Sequence, residues 1–99
     1  MPITVVANLT DAPAIPGRGT KISEGGMCLF AVANLAIGTQ IYVELIDSQC
    51  GSPVRVSGIV RNRVVYLYGV EFLIDRKENR QQIAQLSHIF GRTAGFLSP

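Results

Sequence analysis

The sequence predicts a small all-β fold closed by a C-terminal helix. Apolar and polar residues alternate in six separate stretches between Ile3 and Leu73, the period-two pattern of half-buried strands. Only the segment after Asp75 changes period: Ile83, Leu86, Ile89 and Phe90 fall at helical spacing. The chain has 99 residues, which leaves room for one core and no second domain. Six short strands with one terminal helix fit an antiparallel barrel or sandwich with a helical cap. A barrel has the advantage of removing the edge strands that so apolar a chain would otherwise expose.

The first strand is read over residues 3–9, where Ile3, Val5, Ala7 and Leu9 share a face. Residues 11–17 hold Pro13, Pro16 and Gly17 and are expected to be a loop. Residues 18–22 form a short strand, broken by Gly25 and Gly26, and residues 27–32 resume it. Residues 34–39 turn the chain, with Gly38 expected at positive φ. In residues 40–47, Ile41, Val43 and Leu45 face one way. In residues 53–61, Val54, Val56, Gly58 and Val60 face one way and Arg55, Ser57 and Arg61 the other. Asn62 and Arg63 are placed at a hairpin turn, although the strong Asn-Gly signal is missing. Residues 64–73 return as a long strand with Tyr66, Tyr68, Val70 and Phe72 on one side. Gly58 and Gly69 inside strands indicate bulges or close backbone approach. Asp75 is the expected N-cap of the helix, Gln81, Gln82 and Gln85 face away from its apolar stripe, and Gly91 is its expected stop. The domain is therefore read over residues 1–92, with a tail over 93–99.

Composition excludes several classes. Hydrophobic residues make up 47% and charged residues 16%, the opposite of a disordered chain. A net charge of +2 gives no argument for nucleic acid or a membrane surface. The longest uncharged run, between Glu24 and Glu44, is interrupted by Asn34, Gly38, Thr39 and Gln40, so no membrane insertion is expected. No signal peptide opens the sequence. Cys28 and Cys50 are too sparse for a disulfide scaffold, and a reducing cytoplasm fits them. They cannot make a metal cage with the single His88. His88 is read as a partly buried flank residue beside Leu86 and Ile89. Glu44 and Asp47, three residues apart on a strand, point to opposite sides. Glu71 is read as a solvated outer-face residue. No catalytic constellation emerges, and the chain is not expected to be an enzyme.

Binding chemistry is better represented. Ser23, Gly25 and Gly26 follow a strand and form a turn whose backbone N–H groups can meet an anion; the plainer reading is a bulge at a barrel corner. Arg55, Arg61 and Arg63 lie on or beside one hairpin and could grip phosphate or stack on a base, although each alone is better read as part of a solvated face.

Taken in order, these pieces resemble the PilZ domain family. The resemblance rests on Ile22-Ser23-Glu24-Gly25-Gly26-Met27, on Leu35 and Gly38 before the strand Ile41 to Leu45, on Pro53-Val54-Arg55-Val56 running to Val60-Arg61-Asn62-Arg63, and on Tyr68-Gly69-Val70-Glu71-Phe72. It spans about residues 3–90. What it implies is a six-stranded antiparallel barrel capped by one α-helix, acting as a bacterial, cytoplasmic receptor or adaptor for cyclic di-GMP. The family holds that nucleotide with two motifs. One is R-x-x-x-R, just before the first strand. The other is [DN]-x-S-x-x-G, which falls on Lys21, Ser23 and Gly26.

The sequence departs from this pattern twice. No R-x-x-x-R precedes Ile3, and Lys21 stands where the family has an acceptor. A lysine ammonium has donors only. Weak or absent binding is therefore expected, with Arg18, Arg61 and Arg63 as substitute cations for phosphate or base. Three explanations compete: a truncated but originally competent receptor, those substitute arginines, or a degenerate module acting through an unidentified bacterial protein partner. The last is favoured, and a homo-oligomer stays open. Outside this family, the alternatives are a small barrel that binds single-stranded nucleic acid through Tyr42, Tyr66 and Tyr68, and a plain interaction module.

Overall fold

The alternating stretches fold into six strands, β1 (Pro2–Ala7), β2 (Ile15–Ile22), β3 (Gly26–Ala31), β4 (Gln40–Ile46), β5 (Pro53–Val64) and β6 (Leu67–Phe72), followed by the helix α1 (Lys77–Gly95). The computed structural model describes residues 2–7, 14–46 and 51–95. The readings made for Leu9, residues 11–13, Asp47, Cys50 and the last residues of the tail, 96–99, lie outside the described residues. Every strand pairing is antiparallel, and the sheet closes in the order β1-β2-β3-β6-β5-β4. Closure gives each strand two neighbours and places one alternating set inside: Val5, Leu29, Ile41, Val43, Val54, Val56, Val60, Tyr68 and Val70 are all buried.

Several boundaries differ from the sequence expectation. β2 begins at Ile15, inside the expected loop. Pro16 is tolerated there because β2 is joined to β3 only from Gly17 onward, so at Pro16 the strand has one neighbour. The β5–β6 turn lies at Val65 and Tyr66, not at Asn62 and Arg63. The cause is a bulge at Arg61: Val60 pairs Val70 and Asn62 pairs Gly69, so β5 carries one extra residue. The turn has a positive φ, 57°, at Val65, a position where glycine is the usual signal. Tyr66 therefore leaves the inward row of Tyr68, Val70 and Phe72. Gly38 does take a positive φ, 94°.

The far end of the barrel from α1 is closed by the 32–39 loop. The Leu35 N–H donates to the Tyr68 hydroxyl at 3.0 Å, and that hydroxyl donates to the Ala33 carbonyl. Past the bulge the parity of β5 is reversed, so Arg63 turns toward Tyr68, with its guanidinium 5.3 Å from the ring centre. It donates to the Val65 carbonyl at 2.6 Å and to Asn34 Oδ1 at 2.7 Å.

The helix starts two residues later than expected and runs past Gly91 to Gly95. Asp75 and Arg76 form a bend, and the Arg80 N–H bonds the Arg76 carbonyl at 3.1 Å, so Asp75 is not the N-cap. A mid-helix glycine costs only about 1 kcal/mol, too little to end a docked helix. Residues 93–95, expected in the tail, are helical. Ile83, Leu86 and Ile89 join the barrel core, Phe90 is half-buried, and His88 is exposed rather than partly buried.

Hydrogen bonds set where α1 docks. Strand pairing between β5 and β6 reaches only to Gly58 and Phe72, which leaves the start of β5 with a free edge on that side. Asn79 and Gln82, three residues apart on one helix face, cover it. The Ser57 N–H donates to Asn79 Oδ1 at 2.8 Å and the Arg55 N–H to Gln82 Oε1 at 3.0 Å. Asn79 Nδ2 donates in turn to the carbonyls of Ser57 and Leu73. Buried and thus triply bonded, Asn79 replaces a missing strand. Asn79→Ala is expected to cost about 1–3 kcal/mol in denaturant unfolding, because it strands backbone groups away from water. A loss under about 0.5 kcal/mol, the scale of a neutral surface change, would contradict this role.

Candidate functional site

A second bulge lies across the β3–β6 pair from the first. Gly19 pairs Leu29 and Lys21 pairs Cys28, so Thr20 is the extra residue on β2. Between the two bulges runs one outward-facing row across four strands, Lys21, Cys28, Gly69 and Asn62. Bulges bend strands and re-aim side chains. Here they frame an open cleft of about 440 Å³ on the barrel's outer wall, bounded by Lys21, Ser23, Gly26, Cys28, Arg61, Asn62, Gly69 and Glu71 among others.

Glycine makes up much of its floor. A Cβ on Gly26 would run into the Val70 carbonyl, a backbone atom that cannot move aside. A Cβ on Gly69 would strike the Asn62 amide, which lies across that position. The turn beside the floor is held by the Ser23 N–H, which donates to the Gly26 carbonyl at 2.9 Å, and by the Ser23 hydroxyl, which reaches the same oxygen at 3.3 Å. The Ser23 amide is thus already engaged, which removes one N–H from the set the turn could present to an anion. The Phe72 N–H bonds the Gly25 carbonyl at 2.8 Å and ties the turn to β6.

Charge in the cleft is nearly balanced. Lys21 is exposed and has no partner among the described residues. Arg61 is held: its Nε and Nη2 both donate to Glu71 Oε1, at 2.9 and 2.7 Å. Two cations therefore stand against one carboxylate. Of the residues singled out in the sequence, Lys21, Ser23, Gly26 and Arg61 come together here. Arg18 and Arg63 do not. Arg18 faces outward beside Phe30, and Arg63 serves the far end of the barrel. Sequence reasoning missed Asn62, Cys28 and Glu71 as wall residues. Gly69, flagged as a close approach, was the one signal that could have led to Asn62.

Arg55 belongs to another face, 3.4 Å from Glu44 and stacked 3.8 Å over the Tyr42 ring. The three tyrosines do not share a groove. Tyr68 is buried, Tyr42 lies under Arg55, and Tyr66 packs edge-on against Phe30. Among the described residues no cluster of His, Cys, Asp or Glu could hold a metal ion, and no helix is long and apolar enough to cross a membrane.

A closed six-stranded barrel with a docked helix and a glycine-floored cleft on its wall defines a small binding module. The PilZ domain model matches residues 1–88, and the chain belongs to the PilZ domain family, a family of cyclic di-GMP receptors and adaptors. Among solved structures it is similar to the PilZ domain of CeSA from a cellulose synthesizing bacterium, with a TM-score of 0.73 and 17% identity over 94% of this chain and 92% of that one. That likeness is one of fold. No curated protein matches the sequence.

Proposed function

We propose that this chain is a non-enzymatic cyclic di-GMP signalling module of the bacterial cytoplasm, that its cleft holds the nucleotide weakly or not at all, and that its output is contact with a protein partner. The observation that carries the reading is the state of the cleft's cations. Cyclic di-GMP brings two phosphates and two guanines. The cleft meets them with one free ammonium, at Lys21, and one guanidinium already bound to Glu71. Lys21 also supplies only donors at the position where the family resemblance implies an acceptor. Ser23 and Gly26 keep their motif positions, so a partial anion site is left.

Calorimetry with cyclic di-GMP at moderate salt tests this. The expected dissociation constant is no tighter than about 0.1 mM, two decades above a micromolar receptor. Any residual affinity should fade with added salt, since exposed charges are screened over ~8 Å at physiological ionic strength. A low-micromolar constant would refute the weak-binding reading.

A further inference from the structure

We infer that Glu71 is the affinity-setting residue of the cleft: it holds Arg61 as an internal counter-ion and so withholds from an incoming anion the Nε–Nη2 edge of the one guanidinium that the described residues bring to the cleft. The inference rests on the reading of this cleft as an anion site. Both Arg61 bonds go to the same carboxylate oxygen, at 2.9 and 2.7 Å, and both side chains are about half-exposed, 54% and 55%. The contact is therefore local to the cleft rather than part of the core. Two features place it there. The bulge at Arg61 puts Arg61 and Asn62 on the outer wall in succession, and Glu71 stands on β6 next to the floor residue Gly26 in register. A phosphate that would take the Nε–Nη2 edge of Arg61 must compete with Glu71 for it and also approach a like charge. Both costs fall if the carboxylate is neutralised in place.

Glu71→Gln is the direct test. The probes are pyrophosphate, followed by NMR at the Arg61 Nε–H and the Ser23 amide, and cyclic di-GMP, followed by calorimetry. Pyrophosphate should bind the variant about three- to tenfold more tightly than the parent, the scale of a half-exposed ion pair plus one like charge removed. The Arg61 Nε–H should shift with pyrophosphate in the variant and hardly at all in the parent. Glu71→Asp, with a shorter reach, should give a smaller gain. In an Arg61→Gln background only the like-charge part of the gain should remain, so the gain should be clearly smaller than in the parent background. An Arg61 signal that ignores pyrophosphate in the Glu71→Gln protein overturns the inference, as does a gain undiminished by the loss of Arg61. If the parent binds cyclic di-GMP with a low-micromolar constant while pyrophosphate gains through Arg61 in the variant, the role of Glu71 stands and the weak-binding reading falls.

Discussion

Replacing Leu86 with alanine is expected to cost about 3–5 kcal/mol, the upper part of the range for a fully buried leucine. Leu86 is 0% exposed, and Ile83 and Ile89 pack beside it in the same core cluster as the barrel interior. Little around it can collapse into the space. The barrel residues are held by strand pairing on both sides, and the helix is pinned at Asn79 and Gln82. A cavity left between two fixed surfaces keeps most of its cost. Domains of this size have total stabilities of about 5–15 kcal/mol, so the change removes a large fraction. Denaturant unfolding followed by circular dichroism measures it. The midpoint should drop with the slope unchanged if barrel and helix still unfold together. His88→Ala, two residues on and exposed, is the control and should stay within about 0.5 kcal/mol. A Leu86→Ala loss below about 0.5 kcal/mol would show that the helix is not docked through this residue.

Leu86 was legible because its signal is local and repeated. One apolar residue every third or fourth position marks a helix face wherever that face packs. Strand interiors were legible for the same reason: Ile41 and Val43, then Val54, Val56 and Val60, alternate and lie inside. The bulges carry no such signal. An extra residue at Thr20 or Arg61 changes which side every later residue faces, yet neither residue type announces it. That is why alternation alone puts the β5–β6 turn three residues early and groups Arg63 with Arg61. The true turn residue, Val65, is one that local rules place last at positive φ. Asn79 was silent for a different reason. Its role depends on β5 extending past the end of its pairing with β6, a relation between elements far apart in the chain.

The candidate site divides the same way. Ser23 and Gly26 are legible as a turn, but the steric reason for glycine at 26, the Val70 carbonyl across the β3–β6 pair, is not. Glu71 was read from its alternation as an outer-face residue, and it is exposed. What alternation could not show is that this outer face is recessed between two bulges, so a solvated carboxylate there becomes a wall of the cleft. The role inferred for Glu71 turns on a pairing, Arg61 with Glu71, between residues ten apart in sequence on two neighbouring strands.

The largest expected change in function comes from rebuilding what the family resemblance implies. An N-terminal extension carrying R-x-x-x-R ahead of Pro2, combined with Lys21→Asp, should tighten cyclic di-GMP binding by about two to four orders of magnitude. Two arginines add charge-assisted hydrogen bonds of roughly 1.5–3 kcal/mol each. At ~1.4 kcal/mol per decade, the pair accounts for that gain. The barrel can deliver them to the cleft. Pro2 pairs with Arg18 on β2, and the two strands are antiparallel. Residues added before Pro2 in the same direction therefore run alongside β2 toward Lys21, the cleft's near wall. Aspartate at that position removes a donor-only group and supplies an acceptor for the base edge. Lys21→Asp alone should bring no comparable gain, because it also removes the cleft's one free cation. Calorimetry on the parent, each single change and the combination separates these contributions. If the combination stays as weak as the parent while remaining folded, the wall between the two bulges no longer fits the nucleotide. The Arg61–Glu71 pair and the glycine floor would then be features of a surface turned to a protein partner.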